Sequence, residues 1–257
     1  MPCVWQSIRD AAQNRVEKES TLASFLHATV LNHDKFSDAV SFHLAGKLAS
    51  QSLSSMQLRE IIDESLAGDP TIATSIQADI FAVQERDPAI NCCLVPFLYL
   101  KGVHALASYR TANWLWKSGR EFLALHLQNR ISEAFNVDIH PAARIGKGIL
   151  MDHGTGVVIG ETAVIENNVS MLHEVTLGGT GKDMGDRHPK VRESVLIGAG
   201  AKILGNVEIG RGAKIGAGSV VLTDVPARST FAGVPAVMVG RPASEEPSLE
   251  MNHGIDI

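Results

Sequence analysis

Aliphatic residues recur at every sixth position through the C-terminal half of the chain. A period of six fits neither an amphipathic helix nor a strand in a flat sheet. It predicts a hexapeptide parallel β-helix, a solenoid in which each hexapeptide supplies one short strand and one turn. Glycine often follows the aliphatic residue, as a turn between closely stacked backbones requires. The residues predicted to point into the solenoid are Ile139, Ile145, Met151, Val157, Ile159, Ile165, Met171, Leu177, Val191, Ile197, Ile203, Ile209, Ile215 and Val221.

The six-residue period is interrupted twice. Between Val157 and Ile159 the register jumps by two residues, and between Leu177 and Val191 the chain reads GGTGKDMGDRHPK. This second stretch is polar, rich in glycine and charge, and has no aliphatic residue at the expected inward position. It predicts a loop that leaves the solenoid, and loops on a rigid scaffold are common places for binding residues.

The first half of the chain has a helical pattern instead. Ser20 and Ser54 each precede apolar residues at helical spacing and are predicted helix N-caps. Asp69-Pro70 predicts the start of a further helix, and the pattern after Pro96 is again helical. The predicted fold is α+β, with a helical domain over residues 1–137, a β-helix over 138–243 and a frayed, flexible tail over 244–257.

Composition and charge exclude several classes of protein. The 257 residues are 45% hydrophobic and 20% charged, as in ordinary globular proteins. A formal net charge of −5 argues against a nucleic-acid-binding face, and no apolar stretch is long enough for a membrane span. The N-terminus lacks the apolar core of a secretory signal. Because there are only three cysteines, Cys3, Cys92 and Cys93, a reducing cytoplasm is the expected compartment.

Two motifs in the β-helix half carry a family resemblance: DHGTGVVIGE, which begins at Asp152, and GDRHPK, which begins at Gly185. The helical half adds RDPA at Arg86 and PFLYLKGVHALASYR at Pro96. With these motifs the chain resembles the bacterial serine O-acetyltransferases over nearly its whole length. The resemblance implies a left-handed β-helix after a helical domain, in trimers that pair into hexamers. It also implies transfer of acetyl from acetyl-CoA to the hydroxyl of L-serine, which gives O-acetyl-L-serine for cysteine synthesis.

The resemblance assigns the proton chemistry to His153 and Asp138. A serine hydroxyl is a poor nucleophile near neutral pH and needs a base within hydrogen-bond reach. Histidine is the usual base because it changes charge close to working pH. His153 matches the general base of the family, and Asp138 matches the carboxylate that orients it. The implied attack is direct, without an acetyl-enzyme, so Cys92 and Cys93 are interpreted as buried apolar residues.

Charged residues at the family's serine-binding positions complete the predicted substrate site. Arg187 suits the carboxylate of the amino acid because a guanidinium binds it through two hydrogen bonds, and His188 adds a donor. Asp87 and Asp152 suit the ammonium group. Asp87 is also part of a helix-ending Asp-Pro, and both interpretations hold together, whereas the alternative for Asp152 is an exposed turn acid. The peripheral members of the predicted site are Glu161 and His173.

Acetyl-CoA is expected to lie along the outside of the solenoid, in the cleft between neighbouring protomers. Its pantetheine arm is a string of amides that can pair with backbone exposed at small residues. Lys214 would meet the nucleotide phosphates as a point charge, and the alternative is a solvated lysine. For the glycines the alternative is turn geometry. The residues assigned to the arm are Gly178, Gly179, Gly198 and Ala199.

The resemblance also gives regulatory roles to the amino-acid site and the tail. L-Cysteine has the ammonium and carboxylate of serine, so it is expected to inhibit from the serine site, with Met251 and the nearby tail helping to close the cofactor cleft. In this family a C-terminal isoleucine inserts into the active site of O-acetylserine sulfhydrylase. Ile257 is the matching residue in this chain.

Three other functions compete with this interpretation. A hexapeptide acetyltransferase acting on a sugar or xenobiotic hydroxyl shares the solenoid, but RDPA and GDRHPK argue against it. A non-catalytic scaffold would not need His153, Asp138 and Arg187 together. A zinc lyase of the gamma carbonic anhydrase type needs a closely spaced histidine pair, so no metal is expected. The histidines concerned are widely separated in sequence, at His140, His153, His173 and His188.

Overall fold

Eight α-helices precede the first strand in the computed structural model, which describes residues 4–181 and 184–255. A 3-10 turn at Ser20–Leu22 comes before α2, and a π-helical turn at His27–Leu31 follows it. The helices are α1 (Val4–Lys18), α2 (Ala23–Leu26), α3 (Phe36–Leu48), α4 (Ser55–Gly68), α5 (Thr71–Arg86), α6 (Leu94–Tyr99), α7 (Lys101–Lys117) and α8 (Glu121–Phe135).

Capping residues set several of these boundaries. Ser54 forms a capping box with Gln57, because Ser54 Oγ accepts from Gln57 N at 3.3 Å and Gln57 Oε1 accepts from Ser54 N at 3.0 Å. Asp69 Oδ1 accepts from Thr71 N at 2.9 Å where α5 begins. Ser20 differs from its predicted role. It is the first residue of a 3-10 turn, and Glu19 in the cap position makes no side-chain capping bond, so the predicted helix is divided into short turns.

Helix α7 is the buried centre of the helical half. It packs against α4, α5 and α8, and its side chains are buried around the whole circumference, as in a helix surrounded by other elements. Rings of Trp5, Phe36 and Phe97 form a further cluster, with centroids 5.8 to 6.4 Å apart. None of the helices in the described ranges has the length and apolarity that a bilayer crossing requires.

Short strands make up the second half. They form three flat faces, which we name sheet A (order β1-β4-β7-β10-β13), sheet B (β2-β5-β8-β11) and sheet C (β3-β6-β9-β12-β14-β15). The strands are β1 (Val137–Ile139), β2 (Arg144–Ile145), β3 (Leu150–Met151), β4 (Val157–Ile159), β5 (Val164–Ile165), β6 (Ser170–Met171), β7 (Thr176–Gly178), β8 (Lys190–Val191), β9 (Leu196–Ile197), β10 (Lys202–Leu204), β11 (Glu208–Ile209), β12 (Lys214–Ile215), β13 (Val220–Val221), β14 (Thr230–Gly233) and β15 (Ala236–Gly240).

The three sheets wind into a parallel β-helix, as the six-residue period predicts. All pairings are parallel except the last, in which β15 runs antiparallel to β14. The predicted inward residues are buried with at most 4% exposure, apart from Ile145. Ile145 is half-buried because a surface cavity opens beside it, between β2 and Asn113.

Both interruptions of the period lie between strands. Val137 pairs with Val157, whereas Val158 pairs with Thr176, so the first coil is two residues longer than the second. The extra residues fall in the turn at 152–156. The second interruption is the predicted loop, which leaves the solenoid between β7 and β8 and is described over residues 179–181 and 184–189.

A buried ion pair fixes the helical half to the first coil. Arg110 Nη2 of α7 lies 2.5 Å from Asp79 Oδ2 of α5, and both side chains are nearly inaccessible. Asp79 Oδ1 accepts from Ile149 N at 2.9 Å, and Arg110 Nη2 donates to Gly146 O at 2.8 Å. Burial raises the pKa of Asp79, and the charge of Arg110 opposes this shift. The turn before β3 is therefore held by the helices.

The C-terminal segment differs from the frayed tail that composition predicts. Residues 244–255 pack along sheet C and include a short helix α9 (Pro247–Glu250). Ser248 is fully buried, its Oγ donates to Asn168 O at 2.6 Å, and its carbonyl accepts from Ser170 Oγ at 2.7 Å. Because these bonds lie in a dry contact, they hold the segment in place. Ile257 lies outside the described residues.

Candidate active site

Two edges of the solenoid carry the predicted site residues. We name the turns that join sheet C to sheet A, at residues 152–156, 172–175, 198–201 and 216–219, the C–A corner. The turns that join sheet A to sheet B, at 140–143, 160–163, 179–181, 184–189 and 205–207, form the A–B corner. Sheet A separates the two corners.

His153 projects from the lengthened first turn of the C–A corner. Its backbone has a φ of 57° and its side chain is 72% exposed. The ring nitrogen Nε2 lies 3.7 Å from Asp152 Oδ2, and the ring centroid lies 5.7 Å from that of His173, edge to face. The turn is backed by α7, since Lys101 Nζ donates to Thr155 Oγ1. The structure thus brings Asp152, His153 and His173 together.

Asp138 is on β1, in sheet A. Its Oδ1 accepts a hydrogen bond from Gln128 Nε2 of α8 at 2.6 Å. Among the described residues Asp138 and His153 share no hydrogen bond or ion pair. The orienting role of Asp138 therefore stays a prediction. Hydrogen bonds of this kind often tighten only when substrate is bound.

Asp87 directly follows α5, which contacts β3. Its Oδ1 accepts from Ala89 N at 2.9 Å, as expected of a residue that ends a helix. Because β3 leads into Asp152, the two acids predicted to bind ammonium lie on neighbouring elements. Their role in binding is a prediction.

Four residues of the A–B corner form one polar cluster. Arg187 Nη2 lies 2.6 Å from Glu161 Oε2, and Thr162 Oγ1 accepts from the backbone amides of Arg187 and His188 at 3.0 and 3.1 Å. His188 Nδ1 is 2.9 Å from the same hydroxyl. A hydrogen bond from Arg187 lowers the pKa of Glu161, and burial followed by the charge of Arg187 lowers that of His188.

Sequence reasoning missed Thr162, which belongs to this cluster, and Gly160, which lies against it. Thr162 ties the returning end of the loop to the second coil, and a Cβ on Gly160 would overlap the His188 ring. Both residues belong to the VVIGETAV stretch around Glu161. Nothing in the spacing connects that stretch with the loop, because the contact arises from stacking of successive coils.

The predicted cofactor residues are divided between the corners. Gly198 and Ala199 are in the C–A corner, where a Cβ on Gly198 would come within 2.5 Å of Ala217 N. Gly178 is the last residue of β7, beside the A–B corner, and Gly179 is in that corner, against Arg187. Turn geometry therefore explains at least Gly198.

Lys214 is neither solvated nor open to a ligand in this structure. It is only 5% exposed on β12 and its Nζ donates to Gly254 O of the C-terminal segment. A Cβ on Gly216 would come within 2.8 Å of Ile255 Cδ1. Burial, then the charge of Lys214, lowers the pKa of His253, and Asp152 opposes this shift. The segment thus lies over the C–A corner.

The surface also has two open cavities. One of about 480 Å³ lies over sheet B beside Arg144 and Glu166, and one of about 490 Å³ lies between helices beside Lys47, Lys101 and Arg130. Neither is lined by a predicted site residue. Across residues 4–181 and 184–255, no group of three or more His, Cys, Asp or Glu has a metal-binding arrangement.

Comparison with known proteins decides the family. The family description "Serine acetyltransferase, N-terminal" matches residues 4–108, and "Bacterial transferase hexapeptide (six repeats)" matches residues 188–223. A serine acetyltransferase of Salmonella typhimurium is 56% identical over 98% of this chain and 94% of its own length. The chain belongs to the serine acetyltransferase family.

Solved serine acetyltransferases share the whole fold. The Vibrio cholerae protein superposes with a TM-score of 0.97 at 58% identity, over 98% of this chain and 97% of its own. A serine acetyltransferase in complex with cysteine gives 0.96 at 56% identity, over 98% of each chain.

Two further solved serine acetyltransferases contain other ligands. One in complex with CoA gives a TM-score of 0.89 at 57% identity, over 92% of this chain and 98% of its own. The soybean protein complexed with serine gives 0.90 at 54% identity, over 92% of this chain and 97% of its own.

Proposed function

We propose that the chain transfers the acetyl group of acetyl-CoA to the hydroxyl of L-serine, giving O-acetyl-L-serine and CoA in the cytoplasm. The observation that carries the proposal is membership of the serine acetyltransferase family across nearly the whole chain. Relatives with bound serine and bound CoA support the same pair of substrates here.

His153 acts as the general base of this reaction. It accepts the hydroxyl proton while the serine oxygen attacks the thioester carbonyl, and the tetrahedral intermediate then expels the CoA thiolate, which takes the proton from the imidazolium. The high exposure of His153 suits this role, since its ring must meet two substrates. Asp138 orients the ring once the substrates are bound.

The amino acid is held by groups from both corners. Asp87 and Asp152 bind its ammonium, and Arg187 with His188 binds its carboxylate. Glu161 holds Arg187 in the free site, so the carboxylate of the substrate competes with Glu161 for the guanidinium. Glu161, which is predicted as a peripheral residue of the site, therefore influences substrate binding through Arg187.

Neighbouring protomers complete each site. His153 and Arg187 lie at opposite edges of sheet A in one chain, but three solenoids side by side bring the C–A corner of one to the A–B corner of the next. Acetyl-CoA lies in that cleft, with Gly198 and Ala199 on one wall and Gly178 and Gly179 on the other. The trimers pair through their helical halves into hexamers.

L-Cysteine inhibits by occupying the serine site, and a relative with bound cysteine supports this regulation. The C-terminal segment takes part, because its Gly254 and Ile255 cover Lys214 and Gly216, where acetyl-CoA is proposed to bind. Lys214 meets the phosphates only after the segment moves. Ile257 carries the contact with O-acetylserine sulfhydrylase, and its deletion is expected to abolish co-purification with that partner while acetyl transfer continues.

A thiol-release assay with acetyl-CoA tests the proposed function. We compare L-serine with a sugar acceptor for the wild type and for His153→Ala. Release of CoA that requires L-serine, and that falls about 10²- to 10⁴-fold in the variant, is the expected result. Release that requires the sugar instead would establish a different hexapeptide acetyltransferase, and an equally active variant would exclude His153 as the base.

A further inference from the structure

His173 lies one coil below His153 in the C–A corner. Strands β3 and β6 pair with Met151 opposite Met171, so the two turns that follow them are stacked. The two rings meet edge to face, with centroids 5.7 Å apart and planes inclined by 77°. This is a favourable arrangement for two aromatic rings.

The ring of His153 has few other contacts that fix it. The lengthened turn carries it outward, its side chain is 72% exposed, and its ion-pair partner among the described residues, Asp152, is 3.7 Å away. That distance is longer than a hydrogen bond. A ring in this state loses entropy when it is held for reaction, so its orientation depends on whatever packs against it.

His173, in contrast, stands on a fixed backbone. Its carbonyl accepts from Gly200 N of the third coil at 2.9 Å, and the next amide, of Glu174, donates to Thr155 O of the first coil at 2.7 Å. Its Nδ1 is buried and has no hydrogen-bond partner among the described residues. Such an unpaired buried atom costs stability, so its retention calls for an explanation, of which a role in catalysis is one.

We propose that His173 is a positioning residue for His153. Its ring supports the imidazole of the base from below and keeps a ring nitrogen of His153 at the mouth of the cleft. This role differs from the substrate contact expected from the sequence, and it rests on the proposed function, in which His153 is the base. Because His173 acts through His153, its loss lowers kcat and leaves the KM values for L-serine and acetyl-CoA unchanged.

The test compares His173→Ala with His173→Phe. We expect kcat to fall about 10- to 100-fold in the alanine variant, whereas phenylalanine keeps a flat ring and restores most of the rate. His126→Ala is the matched control, because His126 in α8 also has a buried, unpartnered ring nitrogen but lies in the helical half. It is expected to leave kcat unchanged. Circular dichroism and sedimentation identify any variant that does not assemble.

A double-mutant cycle separates positioning from a general structural effect. In a His153→Ala background, adding His173→Ala is expected to cause no further loss of activity, since the residue through which it acts is gone. Full activity of His173→Ala, a change in KM alone, an inactive folded His173→Phe, or additive losses would each overturn the proposal. Absence of serine-dependent CoA release by the wild type would instead overturn the proposed function.

Discussion

A methyl group added at Gly160 would push the loop between β7 and β8 away from the solenoid. A Cβ there would overlap the ring of His188, which is tied to Thr162 and follows Arg187. A substitution at Gly160 therefore tests whether the amino-acid site depends on how the loop packs against the solenoid, and not only on the residues in the loop.

We expect Gly160→Ala to lower kcat/KM for L-serine by up to about 100-fold, because the ring and the neighbouring guanidinium must shift. Gly185→Ala is the matched control within the same loop, since a Cβ at Gly185 meets nothing within 4 Å. Steady-state kinetics on both variants checks this. Equal kinetics for the two variants would contradict the contact.

For single residues, the sequence predicts which side chains are buried better than it predicts which side chains touch each other. The inward aliphatic residues follow from a period that every coil must obey, because only one side of each strand faces the interior. The link between Thr162 and Arg187 has no such signal, since it depends on how far the loop folds back. The pairing of His153 with His173 likewise depends on two extra residues in one turn, which the sequence reveals only as a shift in register.

Among the elements, the C-terminal segment differs most from the structure that its composition predicts. Polar residues after Ser244 predict a free tail, but Ser248 is buried against Asn168 and Ser170, and Arg86 Nη1 donates to Ser170 Oγ at 3.1 Å. Such a docking site is built from three distant parts of the chain. Local patterns do not contain that information.

We expect truncation after Ser244 to lower the KM for acetyl-CoA, because Gly254 and Ile255 no longer cover Lys214 and Gly216. It is also expected to weaken inhibition by L-cysteine. Initial rates at varied acetyl-CoA and cysteine concentrations check both effects, with deletion of Ile257 alone as the control. A truncated protein with the KM and inhibition of the full chain would show that the segment does not compete for the cleft.

Two buried histidines give the helical half a dependence on pH. Burial lowers the pKa of His43 to about 4 and that of His104 to about 3, and Lys47 adds to both shifts. Below about pH 6.5 the unfolded chain binds protons at these residues while the folded chain does not. Their effect is absent above that pH, and stability falls as the pH drops from 6.5 towards 4.

We expect the free energy of unfolding to fall by about 1.4 kcal/mol per pH unit for each of these histidines in that range. His43→Gln keeps a donor for Leu98 O. It should reduce the slope of unfolding free energy against pH by about 1.4 kcal/mol per pH unit. Urea denaturation at pH 7.5 and pH 5.5 measures it, with exposed His27→Gln as the control. A variant with the slope of the wild type would show that His43 takes up its proton in the folded state.

At the scale of the whole molecule, the division of the proposed site between two corners predicts that assembly is a condition of activity. A mixed trimer tests this directly. His153→Ala and Arg187→Gln should each be inactive alone, yet an equal mixture of their protomers is expected to recover about a quarter of the wild-type activity, because that fraction of clefts joins an intact His153 to an intact Arg187.

The mixture is prepared by joint refolding and compared with each variant refolded alone. Recovery requires that the two residues come from different chains. A mixture no more active than its components would place both residues of each site on one chain, and the cleft between protomers would be abandoned.

The antiparallel return of β15 on β14 has a consequence for how copies of this chain meet. A stack of parallel coils ends in unsatisfied strand edges, and identical stacks tend to grow end to end through them. Here the helices cover the first coil and β15 folds back across the last strand of sheet C. With one end covered by helices and sheet C ended by an antiparallel strand, we expect copies to meet side by side, in a ring where the rotation between neighbours closes.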